Sequence, residues 1–154
     1  MLYNKKHAVF ILLVEDDHFY ATVLMESLKS AGYENIKHVD NGLECLLQVY
    51  EEIVPDAIIM DHQLGMVNGV EVLQKIRAYK PDLKVIFMSG QKDVKVAIQS
   101  VKLGAMDYII KDATAIPKLL ELLKAIEAET EEKNSKSQSK KILPKIKKFL
   151  TDND

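Results

Sequence analysis

The sequence predicts an α/β fold: a five-stranded parallel sheet, doubly wound, with helices on both faces. Three observations carry that expectation. Short apolar runs alternate with amphipathic stretches five times along the chain. Four of the five runs are almost continuously apolar, as parallel strands covered on both faces are. Glycine or proline closes the first four amphipathic stretches, at Gly32, Pro55, Pro81 and Gly104, where a helix has to stop. Repeated β-then-α units of this length favour parallel strands joined by crossover helices.

Each element can be justified in turn. Ala8–Val14 is the first strand, and Asp17 is placed to cap the helix that follows. That helix carries Ala21, Leu24, Met25, Leu28 and Ala31 on one face. The second strand, "IKHV" at 36–39, is the polar exception and suits a sheet edge. Asp40 and Asn41 turn the chain into a helix whose stripe is Leu43, Leu46, Leu47 and Tyr50. The third strand is Ala57–Met60, followed by a helix with Val70, Leu73 and Ile76 on its inner face. Lys84–Met88 is the fourth strand, and Val94, Ala97, Ile98 and Val101 form the next stripe. The last strand is Tyr108–Ile110. The fifth helix starts from Thr114 as N-cap, tolerates Pro117 in its first turn, and buries Leu119, Leu120, Leu122, Leu123 and Ile126.

Residues 7–128 therefore form the domain. From 129 to 154 the reading is a polar linker and a short basic amphipathic tail, because "TEEKNSKSQSKK" holds no apolar residue. In the tail, Ile142, Leu143, Ile146, Phe149 and Leu150 make one helical stripe among lysines. A helix that short is marginal in water unless its stripe docks on something.

Composition excludes several classes. A formal net charge of −2 gives no whole-chain attraction to nucleic acid, and direct nucleic-acid binding is not expected. Cys45 is the only cysteine, so no internal disulfide forms and a reducing, cytoplasmic compartment is expected. Lys5 and Lys6 precede an apolar run of seven residues that ends in acids, with no small-residue cleavage site. No stretch approaches the ~18 apolar residues of a membrane span.

The chemistry sits where the strands end. In an open α/β sheet, ligands bind beyond the carboxyl ends of the strands, where strand order reverses. Here the first strand ends in Glu15, Asp16 and Asp17, the third in Asp61, the fourth in Ser89 and the fifth in Lys111. Carboxylates crowded at one edge raise one another's pKa unless a cation intervenes. Their hard oxygens suit Mg2+, and no His–Cys cluster suggests zinc. A carboxylate nucleophile, a Mg2+ site, a lysine and a hydroxyl are the parts for phosphoryl transfer to Asp.

"LLVEDD", "IIMDHQLGMVNG", "IFMSG" and "YIIKDA", in this order and at these spacings, closely resemble the receiver domain of bacterial two-component response regulators. The resemblance implies a flavodoxin-like sheet of strand order 2-1-3-4-5. It implies that Asp61 is the phosphoacceptor, with a histidine kinase, a phosphotransfer protein or a small phosphodonor as its source. It further implies that Mg2+ is held by Asp16, Asp61 and the backbone carbonyl of Gln63, with Glu15 acting through a metal-bound water. Lys111 would pair with the phosphoryl oxygens, Ser89 would bond to one of them, and Tyr108 would turn inward as the aromatic switch. Gly90 fits the need for a small residue beside the hydroxyl. On this reading the chain catalyses only its own phosphorylation and dephosphorylation. A downstream protein target and a phosphorylation-dependent homodimer are the outputs it implies. The ~25 residues after the domain are too few for an effector domain, so the chain is a stand-alone receiver, the front of a larger regulator, or a degenerate docking module.

Three departures from the family's pattern matter. Leu64 and Gly65 replace the usual Met-Pro, which removes proline's stiffness from the loop. Asp112 follows Lys111 where proline is common, and a cis peptide there would cost ~3 kcal/mol. Gln63 and Gln91 occupy positions that tune hydrolytic water. Two rival classes fit poorly. A dehalogenase-type phosphatase wants Asp-x-Asp on the first strand, where this chain has "EDDHF". A flavodoxin-like cofactor binder needs a phosphate loop where three acids stand.

Overall fold

The computed structural model describes residues 8–51 and 53–151. Lys5, Lys6, His7 and the acidic end at 152–154 lie outside the described residues. The elements run β1 (Ile11–Val14), α1 (His18–Ser30), β2 (Ile36–Val39), α2 (Gly42–Glu51), β3 (Ala57–Asp61) and a small pair, β4 (Gln63–Leu64) with β5 (Val67–Asn68). Then follow α3 (Gly69–Tyr79), β6 (Lys84–Ser89), α4 (Val94–Lys102), β7 (Asp107–Ile110) and α5 (Ala115–Thr151). The five main strands are all parallel, in the order β2-β1-β3-β6-β7. Counting those five alone, this is 2-1-3-4-5, with the polar β2 at the edge.

Period-two alternation divides the sheet into two cores. Ile11 and Leu13 of β1, Ile59 of β3 and Ile86 of β6 pack against Ala21, Leu24 and Leu28 of α1 and Leu119, Leu123 and Ile126 of α5. Leu12, Val14, Ile58, Met60, Val85 and Phe87 point the other way, onto Cys45, Leu46 and Val49 of α2 and Val72, Leu73 and Ile76 of α3. Asp17 caps α1, accepting from the Phe19 and Tyr20 amides at 3.0 Å each. Gly32, at φ +99°, takes the left-handed conformation that ends that helix. Asn41 caps α2 through the Glu44 amide, at 2.9 Å. The peptide before Asp112 is trans, as are the other described peptides.

Several expectations need correcting. On α2, only Leu46 of the anticipated stripe is buried, while Leu43, Leu47 and Tyr50 face outward. Apolar residues surround most of this helix, so its pattern leaves the rotation open. Gln48 fixes it: buried, it accepts from Lys37 Nζ at 2.6 Å and donates to the Ile53 carbonyl at 2.8 Å. On α4 the stripe is inverted, with Val94, Ile98 and Val101 exposed and Ser100 buried. This helix is held by polar anchors instead. The Arg77 guanidinium donates to the Leu103, Gly104 and Leu83 carbonyls at 3.0, 2.8 and 2.7 Å. Thr114 precedes α5, yet its hydroxyl donates to Asp112 Oδ1 at 2.7 Å rather than capping the helix. In α5 itself, Leu120 and Leu122 are half-buried beside the fully buried Leu119, Leu123 and Ile126.

The largest difference is at the C-terminal side. Residues 129–151, read as a linker and a separate helix, continue α5 without a break. Propagation from a packed helix avoids the costly nucleation step that an isolated segment faces. Glu129–Lys133 and Glu132–Lys136 pair at i, i+4 with glutamate first, the better orientation. The Ser135 and Ser139 hydroxyls bond back to carbonyls one turn earlier. Pro144 lies inside this stretch.

Candidate functional site

The register of the sheet assembles the site. Val14 pairs with Met60, Asp61 with Met88, and Ser89 with Ile110. Glu15, Asp61, Ser89 and Lys111 therefore leave the sheet at one edge, beyond the point where β1 lies between β2 and β3. Backbone bonds continue past the strands, from the Glu15 amide to the Val39 carbonyl at 3.1 Å and from the Lys111 amide to the Ser89 carbonyl at 2.8 Å. Gly69 allows α3 to start against this edge. A Cβ there would lie 2.6 Å from Phe87 and 2.9 Å from the Asp61 carbonyl oxygen.

Lys111 is the centre of the charge arrangement. Its ammonium lies 2.7 Å from Glu15 Oε2, 3.1 Å from Asp61 Oδ2 and 4.3 Å from the centre of the Tyr20 ring. The other carboxylate oxygens are also engaged: the Asp17 amide donates to Glu15 Oε1 at 3.0 Å, and the Gln63 amide to Asp61 Oδ1 at 3.1 Å. Glu15 is only 1% exposed. Burial pushes its carboxyl up to about 7, against the opposing pull of Lys111 and the Asp17 amide and with a further push from Asp61. Burial alone would lower the Lys111 ammonium, but Glu15 and Asp61 outweigh it and the net shift is upward.

One oxygen from each of Glu15, Asp16 and Asp61 lies within 4.8 Å of the others. An all-oxygen, anionic set of this kind fits Mg2+, which takes one or two carboxylates and keeps waters. Asp16 is exposed, at the mouth of a pocket of about 460 Å³ that Tyr20, Asp61, Gln63, Ser89, Gly90, Gln91 and Lys111 also line. A Cβ on Gly90 would meet nothing within 4 Å, so the pocket is open on that side.

The residues read as a switch are linked through one backbone unit. Ser89 is buried, and its Oγ accepts from the Gln91 amide at 3.2 Å. The half-buried Tyr108 donates its hydroxyl to the Gln91 carbonyl at 3.2 Å. Asp17 caps α1, and His62 is a half-buried residue of the loop after β3. The structure thus brings together Glu15, Asp16, Asp61, Gln63, Ser89 and Lys111, with Tyr108 one peptide away. Sequence reasoning missed two contributors. Tyr20 packs its ring on Lys111, and its only sequence signal is a place in the first turn after the Asp17 cap. His38 reaches from the edge strand, its Nε2 2.8 Å from the Glu15 carbonyl oxygen.

The structure thus sets an acidic pocket with a bridging lysine at the carboxyl edge of a doubly wound parallel sheet. The sequence matches the response regulator receiver domain over residues 11–126, and the chain belongs to that family. It is 34% identical over 103 residues to the transcriptional regulatory protein ZraR of Klebsiella oxytoca, an alignment spanning 67% of this chain and 23% of that protein. Over 101 residues it is 32% identical to the chemotaxis protein CheY of Listeria monocytogenes, covering 66% of this chain and 84% of that one. Among solved structures, a CheY-like receiver domain protein from Methanospirillum hungatei superposes with a TM-score of 0.71 at 27% identity, over 81% of this chain and 98% of that one. The chain therefore spans less than a quarter of the ZraR proteins it matches. Receiver domains of this family are signalling switches of two-component systems. No helix among the described residues is long and apolar enough to cross a membrane.

Proposed function

We propose that this chain is a phosphorylation-controlled switch whose phosphoacceptor is Asp61. One observation carries the reading: Asp61 Oδ2 lies 3.1 Å from Lys111, which also holds the buried Glu15, at the mouth of an open pocket. An Asp61 oxygen attacks the phosphorus of a kinase's phosphohistidine, or of a small donor such as acetyl phosphate. The bond from phosphorus to the donor breaks, and the donor leaves with its electron pair. Lys111 is already in place to pair with the added phosphoryl oxygens. Mg2+, held by Asp16, Asp61 and the Gln63 carbonyl with Glu15 behind a water, would supply charge neutralisation for the transferring group. Ser89 exchanges its bond from the Gln91 amide for one to the phosphoryl group. That movement pulls on the peptide holding Tyr108 and so reaches the β6–α4 and β7 surface. The chain catalyses only its own phosphorylation and dephosphorylation, in the cytoplasm, and its output is a changed protein-contact surface.

Acetyl phosphate or phosphoramidate with Mg2+ should add one phosphoryl group, read by mass spectrometry, and Asp61→Asn should abolish it. Equal labelling of that variant would overturn the assignment. Mg2+ should also stabilise the folded state, by about 2.7 kcal/mol at a hundredfold excess over Kd, and so raise the melting temperature, and Asp16→Asn should reduce that shift. Ser89→Ala should still be labelled while losing the change in amide exchange over residues 89–128.

A further inference from the structure

Lys111 has to reach along the edge of the sheet. It follows β7, while Asp61 ends β3, two strands away in the sheet order, and Glu15 follows β1, three strands away. Its stem must therefore stay extended, against the rotamer freedom of a long flexible side chain. The ammonium donates to Glu15 Oε2 at 2.7 Å and to Asp61 Oδ2 at 3.1 Å. Tyr20 supplies a further side, with the ammonium 4.3 Å from the centre of its ring. At that distance a cation is attracted to the negative face of an aromatic ring.

Tyr20 itself is fixed from two directions. Its amide donates to Asp17 Oδ1 at 3.0 Å in the first turn of α1, and its side chain packs on the core that α1 and α5 share. It also lines the pocket that holds Asp16, Asp61, Ser89 and Gly90. Burial pushes the phenol up, against the pull of Lys111 and with a further push from Glu15, Asp61 and Asp112. The ring beside the ammonium is thus the neutral phenol. The partners of Lys111 differ in what phosphoryl transfer does to them. Esterification removes the carboxylate charge of Asp61, so Lys111 exchanges that partner for phosphoryl oxygens. The contact with the Tyr20 ring takes no part in the exchange.

We propose that Tyr20 is a positioning residue for phosphoryl transfer, its ring holding the Lys111 ammonium at the pocket before and after Asp61 is modified. This role rests on Asp61 being the phosphoacceptor, whereas the contact between ring and ammonium does not.

Two measurements on the full chain test it. By NMR, the side-chain protons of Lys111 beside the ring should resonate upfield of those of the other lysines in wild type and Tyr20→Phe, but not in Tyr20→Leu. With acetyl phosphate and Mg2+, Tyr20→Leu should be labelled about three- to thirtyfold more slowly than wild type, and Tyr20→Phe at the wild-type rate. Leucine keeps apolar packing on the core, so the gap between leucine and phenylalanine isolates the ring. Should Tyr20→Leu disturb the fold, pentafluorophenylalanine in place of Tyr20 repeats the test. It keeps the ring's shape but reverses the charge of its face, and should slow labelling likewise. Wild-type labelling of Tyr20→Leu, or an unshifted Lys111 in the wild type, would overturn the proposal. So would a Tyr20→Phe chain as slow as Tyr20→Leu, which would assign the effect to the hydroxyl. Equal labelling of Asp61→Asn would overturn the phosphoacceptor assignment and this role with it, while the upfield shift of Lys111 stayed.

Discussion

Residues 115–126 and 131–151 belong to one helix, yet different forces hold them. The first part buries Leu119, Leu123 and Ile126 against the sheet and is fixed by its apolar face. The second is exposed throughout and is helical through propagation, i, i+4 ion pairs and hydroxyls folded back on the helix. Between them Glu129 joins Lys84 of β6 at 3.0 Å. Continuous secondary structure therefore does not imply uniform stability. Local opening energies run from near zero to the global value within one element.

The sharpest way to break this comparison is truncation of matched side chains. Leu123→Ala should cost about 2–5 kcal/mol in urea unfolding, and Ile146→Ala less than about 0.5 kcal/mol where the chain is monomeric. Equal losses would mean that the extension packs on the domain. The same inside–outside contrast runs across α2, where Cys45 is buried and Leu43 exposed. Burial pushes the Cys45 thiol from 9.0 up to about 12. The folded state thus keeps a proton that the unfolded chain gives up. This contribution to stability is complete below pH 9.0 and is lost as the pH rises towards about 12. The loss is at most about 1.4 kcal/mol per pH unit. Lys111, Tyr20 and Tyr33 are also shifted upward and lose their contribution to stability in the same range. Urea titrations should therefore show a steeper slope for wild type than for Cys45→Ala, and the native thiol should stay silent to thiol reagents at neutral pH.

Smaller effects sharpen the picture. Removing residues 131–151 should leave the unfolding free energy of the monomer within about 0.5 kcal/mol, while amides there exchange far faster than those of 115–126. Pro144→Ala should be the mildest change. Restoring an amide to the helix interior should raise helicity by circular dichroism and slow local exchange, with the global midpoint unmoved. A shifted midpoint would place Pro144 in the packed structure.

The site was legible because its residues are tied to strand ends. Glu15, Asp61, Ser89 and Lys111 each follow an apolar run, and a parallel sheet brings such ends to one edge whatever the details of packing. Tyr20 and His38 were not legible, since their places depend on how α1 and β2 settle beside β1. The β4–β5 pair was missed for a similar reason: two residues per strand leave no period to read.

The sequence by itself determined five β/α units, their parallel order through the family resemblance, and the residues that gather at the strand ends. Continuous apolar runs, helix stops and charged strand ends are local signals, written in neighbouring residues. Tertiary structure decided which way α2 and α4 turn. Gln48 needed two polar partners, and Arg77 offered its guanidinium to the end of α4. It also decided that α5 continues through a polar stretch with no apolar face. A helix patterned on several sides, or on none, has no preferred orientation of its own. Only the contacts it finds can select one.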